Sequence, residues 1–351
     1  MTIIPRPDPA FWNGKRVLVT GHTGFKGAWL SLWLSKMGAQ VFGISLAPET
    51  DDALFRALDC FESSVIGDLR KDGDVAEIIQ TADPEIVIHM AAQAFVRRSV
   101  ADPLDTISSN VMGTAKLLDG LRAAKNLKQV LVITSDKVYA NSDAGIAFTE
   151  DAPLGGHDPY SGSKAATEHI AHSYDMSYFR PQGVWLAVGR AGNVIGGGDW
   201  SEDRIIPDCM RALRGNTPLT LRHPEAVRPW QHVLDCLNGY LLYVEQLAED
   251  GTVPRAMNFG PDASDRLEVG ELVDLFYKTY GETAEVLIDR PEHSVEMKLL
   301  MIDPTLAHDT LGWRCSLSQR DAVRWTAEWY RETDPLAATE KQIDIFARTT
   351  V

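Results

Sequence analysis

The sequence predicts an α/β fold: a doubly wound parallel sheet with a smaller, interleaved second domain. Three observations predict it. Short apolar runs rich in β-branched residues recur along the first 190 positions, each bounded by glycine or polar residues. Stretches with helical patterning lie between them, and strand-helix-strand repetition implies a parallel sheet. After Arg190 that rhythm gives way to loops rich in Gly, Pro, Asp and Trp.

In chain order, RVLVTG is the first strand, and QVFGISL, SVIGDL, EIVIHMAA, QVLVITS and GVWLAVGR supply five more, the last ending at Arg190. Helices are expected over Phe25 to Met37, stopping before Gly38, then over Gly73 to Thr81, Thr106 to Asn126 and Tyr160 to Phe179. Beyond Arg190 they are expected at Ile205 to Arg214, Val233 to Leu247 and Val269 to Tyr280. The sharpest shift in composition is GNVIGGGDWSEDR, residues 192–204. The first domain is therefore drawn at 1–190 with a returning segment near 229–257, and the second mainly over 191–351.

The chain has 351 residues, 44% of them hydrophobic, enough for a sizeable core. Its 34 Lys and Arg against 49 Asp and Glu give a net charge of −15. That balance argues against nucleic acid or an anionic membrane as partner, so any anionic ligand must be held by local groups. The opening MTIIPRPDPAFWNGKR lacks the apolar core of a signal peptide and no later run suits a bilayer, so a cytoplasmic protein is expected. Cys60, Cys209, Cys236 and Cys315 are far apart without CxxC or Cys/His spacing. They read as free thiols, with no metal site and no disulfide frame.

Three glycines at a spacing of three, in LVTGHTGFKGAWL, join the first strand to the first helix. Gly21 permits a tight exit, Gly24 lets the backbone approach a ligand, and Gly27 lets the helix pack closely. The free N–H groups and positive dipole end of the helix then suit a dinucleotide pyrophosphate. Lys26 is a phosphate candidate, although a solvated surface lysine is the plainer reading. At the end of the second strand an acid would bond a ribose 2′-OH and a base a 2′-phosphate. The chain has Ser45 there, followed by Glu49, Asp51 and Asp52, with no basic residue before Arg56. That negative charge favours NAD over NADP. Asp68 and Leu69, after the third strand, are placed to meet the adenine, with a helix cap as the alternative for Asp68.

The chemistry is expected at the carboxyl ends of the strands, where ITSDKVY stands. Tyr160 and Lys164, four residues apart, share a helix face. An ammonium about 4 Å from a phenol, at an effective dielectric of about 20, favours phenolate by roughly 4 kcal/mol, or about 3 pK units. On that basis the Tyr160 phenol should titrate near neutrality.

Taken together, TGHTGFKG, HMAAQ, NVMGT, TSDK and YSGSK resemble the extended short-chain dehydrogenase/reductase family, and the resemblance covers nearly the whole chain. GHTGFKGAWL, TSDKVY, RAGNVIGGGDW and VRPWQHVLD resemble its nucleotide-sugar 4,6-dehydratases, those acting on CDP-glucose in particular. The resemblance implies an NAD-binding Rossmann domain. Around the cofactor it gathers Gly21, His22, Thr23, Gly24, Phe25, Lys26, Gly27, Ser45, Asp68, Leu69, Ala91, Ala92, Gln93, Asn110, Tyr160 and Lys164.

The resemblance also implies three chemical steps. Tyr160 takes the proton of the sugar 4-OH, with Thr134 or Ser135 hydrogen-bonding the same oxygen, while hydride passes to the cofactor. The new C4 ketone acidifies C5–H, so a base removes that proton while an acid protonates the departing 6-OH. The hydride then returns to C6. In dTDP-glucose dehydratases the elimination pair is Asp then Glu, whereas this chain has Asp136 as acid and Lys137 as base. Adjacent strand residues point to opposite faces, so both can serve one sugar only if the strand has ended by Ser135 or Asp136.

For the substrate diphosphate the candidates are Arg190, Arg204 and Arg228, whose guanidiniums bind phosphate through paired hydrogen bonds. Asn193 resembles the asparagine that contacts the diphosphate in related enzymes. Trp200 and Trp230 could pack beside the base or sugar, with core or interface filler as the plainer reading. His293 lies where the family has Pro-His-Glu, but here Glu292 precedes the histidine. Relatives often form homodimers or homotetramers through helices near YSGSK, and the helices at Thr106 and Tyr160 carry apolar positions that permit it. Two other functions stay open. A 4-epimerase or decarboxylase would use the same NAD, Tyr and Lys without an elimination pair, and a non-catalytic dinucleotide sensor would have no need of Tyr160, Lys164 and Asp136 together.

Overall fold

The computed structural model describes residues 4–140, 147–262, 264–290 and 301–349. Eleven strands are named in chain order: Arg16–Thr20 (β1), Gln40–Ser45 (β2), Ser63–Ile66 (β3), Ile86–His89 (β4), Gln129–Ile133 (β5), Trp185–Ala191 (β6), Val194–Ile195 (β7), Leu219–Leu221 (β8), Gln231–His232 (β9), Ala256–Phe259 (β10) and Val286–Ile288 (β11). Seven of them form one sheet in the order β10-β6-β5-β4-β1-β2-β3, with every pairing parallel. The order turns back at β1, which lies between β2 and β4, so a crevice opens above the carboxyl ends of β1 and β4.

The central strands are apolar on both faces because helices cover both. Along β1 the side chains alternate, Val17 and Val19 entering one core and Leu18 the other. The first core holds the helices Phe25–Lys36 and Val233–Glu249, and the second holds Asp72–Ala82, Gly113–Leu121 and Pro159–Tyr174. Beyond β6 the helices Ile205–Gly215, Val269–Tyr280 and Gln319–Arg331 build the second lobe with the small parallel pairs β7/β9 and β8/β11. Among the described residues no helix is long and apolar enough to cross a membrane.

Two expectations need revision. The sheet has a seventh strand, β10, which pairs with β6 from Ala256↔Val188 to Phe259↔Ala191. Its sequence AMNF is too short and too polar at Asn258 to stand out. The helix expected over 106–126 is broken into Pro103–Ile107, a wide turn Ser108–Met112 and Gly113–Leu121. That wide turn is a π-type bulge, and it carries the buried Asn110.

Candidate active site

The glycine turn sits at the mouth of the crevice, and each glycine has a steric reason. Gly21 has φ 76°, and a Cβ there would lie 2.8 Å from the Ala91 nitrogen. A Cβ on Gly27 would lie 2.1 Å from the Gly21 carbonyl oxygen, so the helix could not pack on the turn. Gly24 caps the helix that begins at Phe25 without any side-chain bond. A Cβ there would meet only the Gly21 oxygen, at 3.3 Å. The first-turn N–H groups are thus left open for an anion, which is what a dinucleotide pyrophosphate requires.

Around that turn several expectations are corrected. His22 turns its ring away from the crevice, between Phe55 and Phe61, and bonds Ser64 at 2.8 Å. Burial drops its pKa to about 4, so the ring is neutral. Lys26 is not a solvated lysine: its ammonium donates to the Tyr240 hydroxyl at 3.3 Å. Burial and the charge of Arg204 lower its pKa, and Asp136 works in the opposite direction. Asp68 gives its carboxylate to Arg70 at 2.7 Å, which holds it below the usual range. That contact braces the turn. Glu49, Asp51 and Asp52 pair with Arg98, Arg56 and Arg214 at 2.6, 3.2 and 2.7 Å. Their negative charge is neutralised, so repulsion of a 2′-phosphate is weaker than the sequence implied.

Other residues close the crevice. Thr23 donates to the Ser45 hydroxyl at 2.8 Å, while Leu69 is buried in the second core. After β4, the Ala91 nitrogen donates to the Thr20 hydroxyl at 3.1 Å, and Ala92 leads to Gln93. Gln93 and Asn110 clasp each other: the Gln93 nitrogen donates to Asn110 Oδ1 at 2.7 Å, and Asn110 Nδ2 donates to the Gln93 carbonyl at 3.0 Å. Asn110 Nδ2 also reaches the Ser163 hydroxyl at 2.8 Å on the helix that carries Tyr160.

Across the crevice β5 ends at Ile133, and Asp136–Val138 form a 3-10 turn. The chain has therefore left extended geometry in time for Asp136 and Lys137 to share one side. The Ser135 hydroxyl donates to Asp136 Oδ1 at 2.9 Å, and Lys137 Nζ lies 3.4 Å from the same oxygen. Asp136 is 2% exposed, and its Oδ2 has no hydrogen-bond partner among the described residues. Ser135 is also within hydrogen-bond reach of the Tyr160 phenol.

The expected Tyr-Lys effect is corrected. Lys164 donates from Nζ to the Ile133 carbonyl at 3.2 Å. Burial, aided by Lys26, lowers its pKa to about 7 while Glu168 opposes them. Burial raises the Tyr160 phenol despite Ser135, Lys137 and Arg204, which favour its ionisation. Here Lys164 is aimed at the strand end rather than at the phenol, and desolvation outweighs the remaining cations.

The substrate candidates divide. Arg190 is corrected to a buried structural cation: it bonds Glu168 at 2.6 Å and the Tyr139 hydroxyl at 2.7 Å, so it has no fork left for phosphate. Thr134 is corrected too, since its hydroxyl donates to Glu168 at 2.7 Å. Trp230 is packed in the first core at 4% exposure and offers no face to a ligand. Trp200 carries Arg214 over its ring at 4.0 Å. Arg204 stays close to the site, 3.6 Å from Asp199 and within electrostatic reach of Tyr160 and Lys26. Half-buried Asn193 accepts from the Gln231 nitrogen at 2.9 Å through its carbonyl. Arg228, also half-buried, donates to the Val227 carbonyl at 3.0 Å. His293 lies outside the described residues. Sequence reasoning missed Glu168 and Tyr240. Glu168 follows Lys164 by one helical turn, and that spacing was the available signal.

A doubly wound sheet with an open glycine turn at its switch point, faced by a helix carrying Tyr160 and Lys164, defines a dinucleotide-dependent class of site. A profile of the GDP-mannose 4,6 dehydratase family matches residues 18–326, and the chain belongs to that family. It is 43% identical to the CDP-glucose 4,6-dehydratase of Salmonella typhimurium, across 98% of this chain and 99% of that protein. Similar solved structures include the dTDP-glucose 4,6-dehydratase of Streptomyces venezuelae with NAD bound, at TM-score 0.74 and 25% identity, covering 90% of this chain and 97% of that one. Another is the UDP-glucose 4-epimerase of Brucella ovis in complex with NAD, at TM-score 0.78 and 25% identity, covering 91% and 98%.

Proposed function

We propose that this chain is an NAD-dependent hydro-lyase that converts CDP-glucose to CDP-4-dehydro-6-deoxyglucose and water. The observation that carries the reading is the Asp136–Lys137 pair, 3.4 Å apart on the turn that presents Ser135 to Tyr160. A 4-epimerase needs no such pair. Resemblance over the full length to a CDP-glucose 4,6-dehydratase supports the choice of nucleotide.

Bound NAD would supply reversible hydride storage and the positive charge of its oxidised ring. The Gly21–Gly27 turn, the Gln93–Asn110 clasp and Lys164 are the residues that would hold it. Tyr160 receives the proton of the sugar 4-OH, and Ser135 rather than Thr134 bonds the same oxygen. Because the phenol is raised by burial, Lys137 and Arg204 are the chain's own charges that favour its ionised form. For elimination, the ion pair of Asp136 and Lys137 becomes a neutral acid and a neutral amine when one proton crosses between them. Lys137 then takes the C5 proton and Asp136 gives its proton to the departing 6-oxygen; on hydride return to C6, Lys137 gives the proton back to C5, and the proton that Tyr160 took from the 4-OH restores the one the pair gave to water. Arg204, Arg228 and Asn193 are assigned to the substrate diphosphate.

The same reading takes 1–190 with 229–257 as the cofactor domain, the rest as mainly the substrate domain, and a cytoplasmic location, where its nucleotide sugar and cofactor are found. It includes a homo-oligomer built through the helices around 103–121 and 159–179, supported by the exposure of Leu104 at 77%, Met112 at 49% and Met176 at 48%. The test is proton NMR of the protein with NAD and, separately, CDP-, UDP-, dTDP- and GDP-glucose. A new C6 methyl doublet with CDP-glucose alone is expected. A doublet with a different nucleotide overturns the substrate, and none with any overturns the dehydratase reading.

A further inference from the structure

The catalytic turn is held at both ends by one buried ion pair. Glu168 and Arg190 are each about 4% exposed and bond through Nη2 at 2.6 Å and Nε at 2.9 Å. Glu168 lies on the helix that carries Tyr160 and Lys164, and Arg190 lies on β6. At the start of the turn, Thr134 donates to Glu168 at 2.7 Å. At its end, the Tyr139 hydroxyl accepts from Arg190 Nη1 at 2.7 Å and donates to Asn258 Oδ1 at 2.7 Å. Between those two anchors lie Ser135, Asp136, Lys137 and Val138, so every elimination group sits on a loop whose two feet rest on the same pair.

We infer that Glu168, acting with Arg190, is a positioning residue that fixes the Ser135–Asp136–Lys137 turn in register with the helix bearing Tyr160 and Lys164. The inference rests on the dehydratase reading. Oxidation at C4 takes its proton acceptor, Tyr160, from the helix with Ser135 of the turn beside it, whereas both elimination groups, Asp136 and Lys137, lie on the turn. The clamp is what makes both face one sugar. Loosening it slows elimination more than oxidation, because a displacement of about 1 Å at a reacting group costs as much as 100-fold in rate. Glu168 touches neither reacting atom, and its effect passes through Thr134 and, by way of Arg190, through Tyr139.

Replacing Glu168 itself leaves the Arg190 charge buried without its counter-ion and endangers the fold. The test therefore cuts the two feet and leaves the pair intact, in Thr134→Val and Tyr139→Phe. Steady-state turnover of CDP-glucose, Tm, and the sugars trapped by borodeuteride quench are compared with wild type. Trapping marks any unreleased 4-keto hexose with deuterium at C4, distinct in mass from the 6-deoxy product. The expected result is a kcat lower by about 10- to 100-fold, KM close to wild type, a single cooperative thermal transition, and a larger trapped 4-keto hexose fraction in both variants. Unchanged kcat in both, or a lower kcat with the wild-type trapped fraction, overturns the inference while the dehydratase reading stands. Wild-type protein inert toward CDP-glucose overturns that reading and the inference with it.

Discussion

Replacing Lys164 by Met should change how stability depends on pH in the cofactor-free protein. The side chain is buried, and its pKa falls from 10.5 to about 7 because of burial and the charge of Lys26, with Glu168 opposing. Its folded value lies below its unfolded value, so between the two the unfolded chain binds more protons and stability rises with pH. At 1.36 kcal/mol for each pK, keeping this site costs about 3 kcal/mol near pH 8 and about 1 kcal/mol near pH 9.5. Wild-type protein therefore gains about 2 kcal/mol from Lys164 over that interval, and the Met variant does not. Carboxyls raised to about 7, Asp235 and Glu245, are already ionised there. The thiols titrate alike in both proteins and cancel. Urea unfolding at the two pH values measures the difference, and parallel behaviour of wild type and variant would refute the placement of a buried ammonium at this position. Turnover is lost in the variant, so stability and activity pull in opposite directions at this residue.

Three further outcomes are expected. Tyr160→Phe keeps nucleotide-sugar binding, measured by calorimetry, but loses at least about 100-fold in kcat as the proton acceptor for the 4-OH disappears. Gly27→Ala places a methyl 2.1 Å from the Gly21 carbonyl oxygen, so NAD titration should show binding lost and calorimetry a stability lower by about 1–3 kcal/mol. Glu245 accepts from Trp12 Nε1 at 2.6 Å and is raised to about 7 by burial. Since its folded value exceeds 4.5, stability falls as pH rises from there to about 7. Glu245→Gln should reduce that fall by about 1–2 kcal/mol after allowing for partial exposure, read as unfolding free energy on either side of the interval.

The sheet was legible because its central strands are buried on both faces and so appear as unbroken apolar runs such as IVIH and VLVI. The seventh strand was not, since AMNF is four residues long and its Asn258 serves the Tyr139 hydroxyl rather than the core. Glycine spacing gave the turn its geometry, and the Gly21 and Gly27 clashes have the causes the pattern suggested. What spacing cannot give is direction. Nothing in GHTGFKG says that His22 faces inward while Lys26 reaches Tyr240, a residue more than two hundred positions away. Arg190 was legible as a cation at a strand end, but its pairing depends on Glu168 having arrived at the same depth from another element. The phenol was misjudged for the same reason: i, i+4 spacing sets a shared face, whereas the ammonium is drawn to the Ile133 carbonyl.

The most direct measurement is the fate of a deuterium placed at C4 of CDP-glucose, followed by NMR of the product with NAD present. If Tyr160 and the Asp136–Lys137 pair act on one bound sugar, the label moves within the molecule and appears in a CH2D group at C6. An unlabelled methyl, or deuterium retained at C4 of an epimerised hexose, would contradict oxidation, elimination and return at a single site.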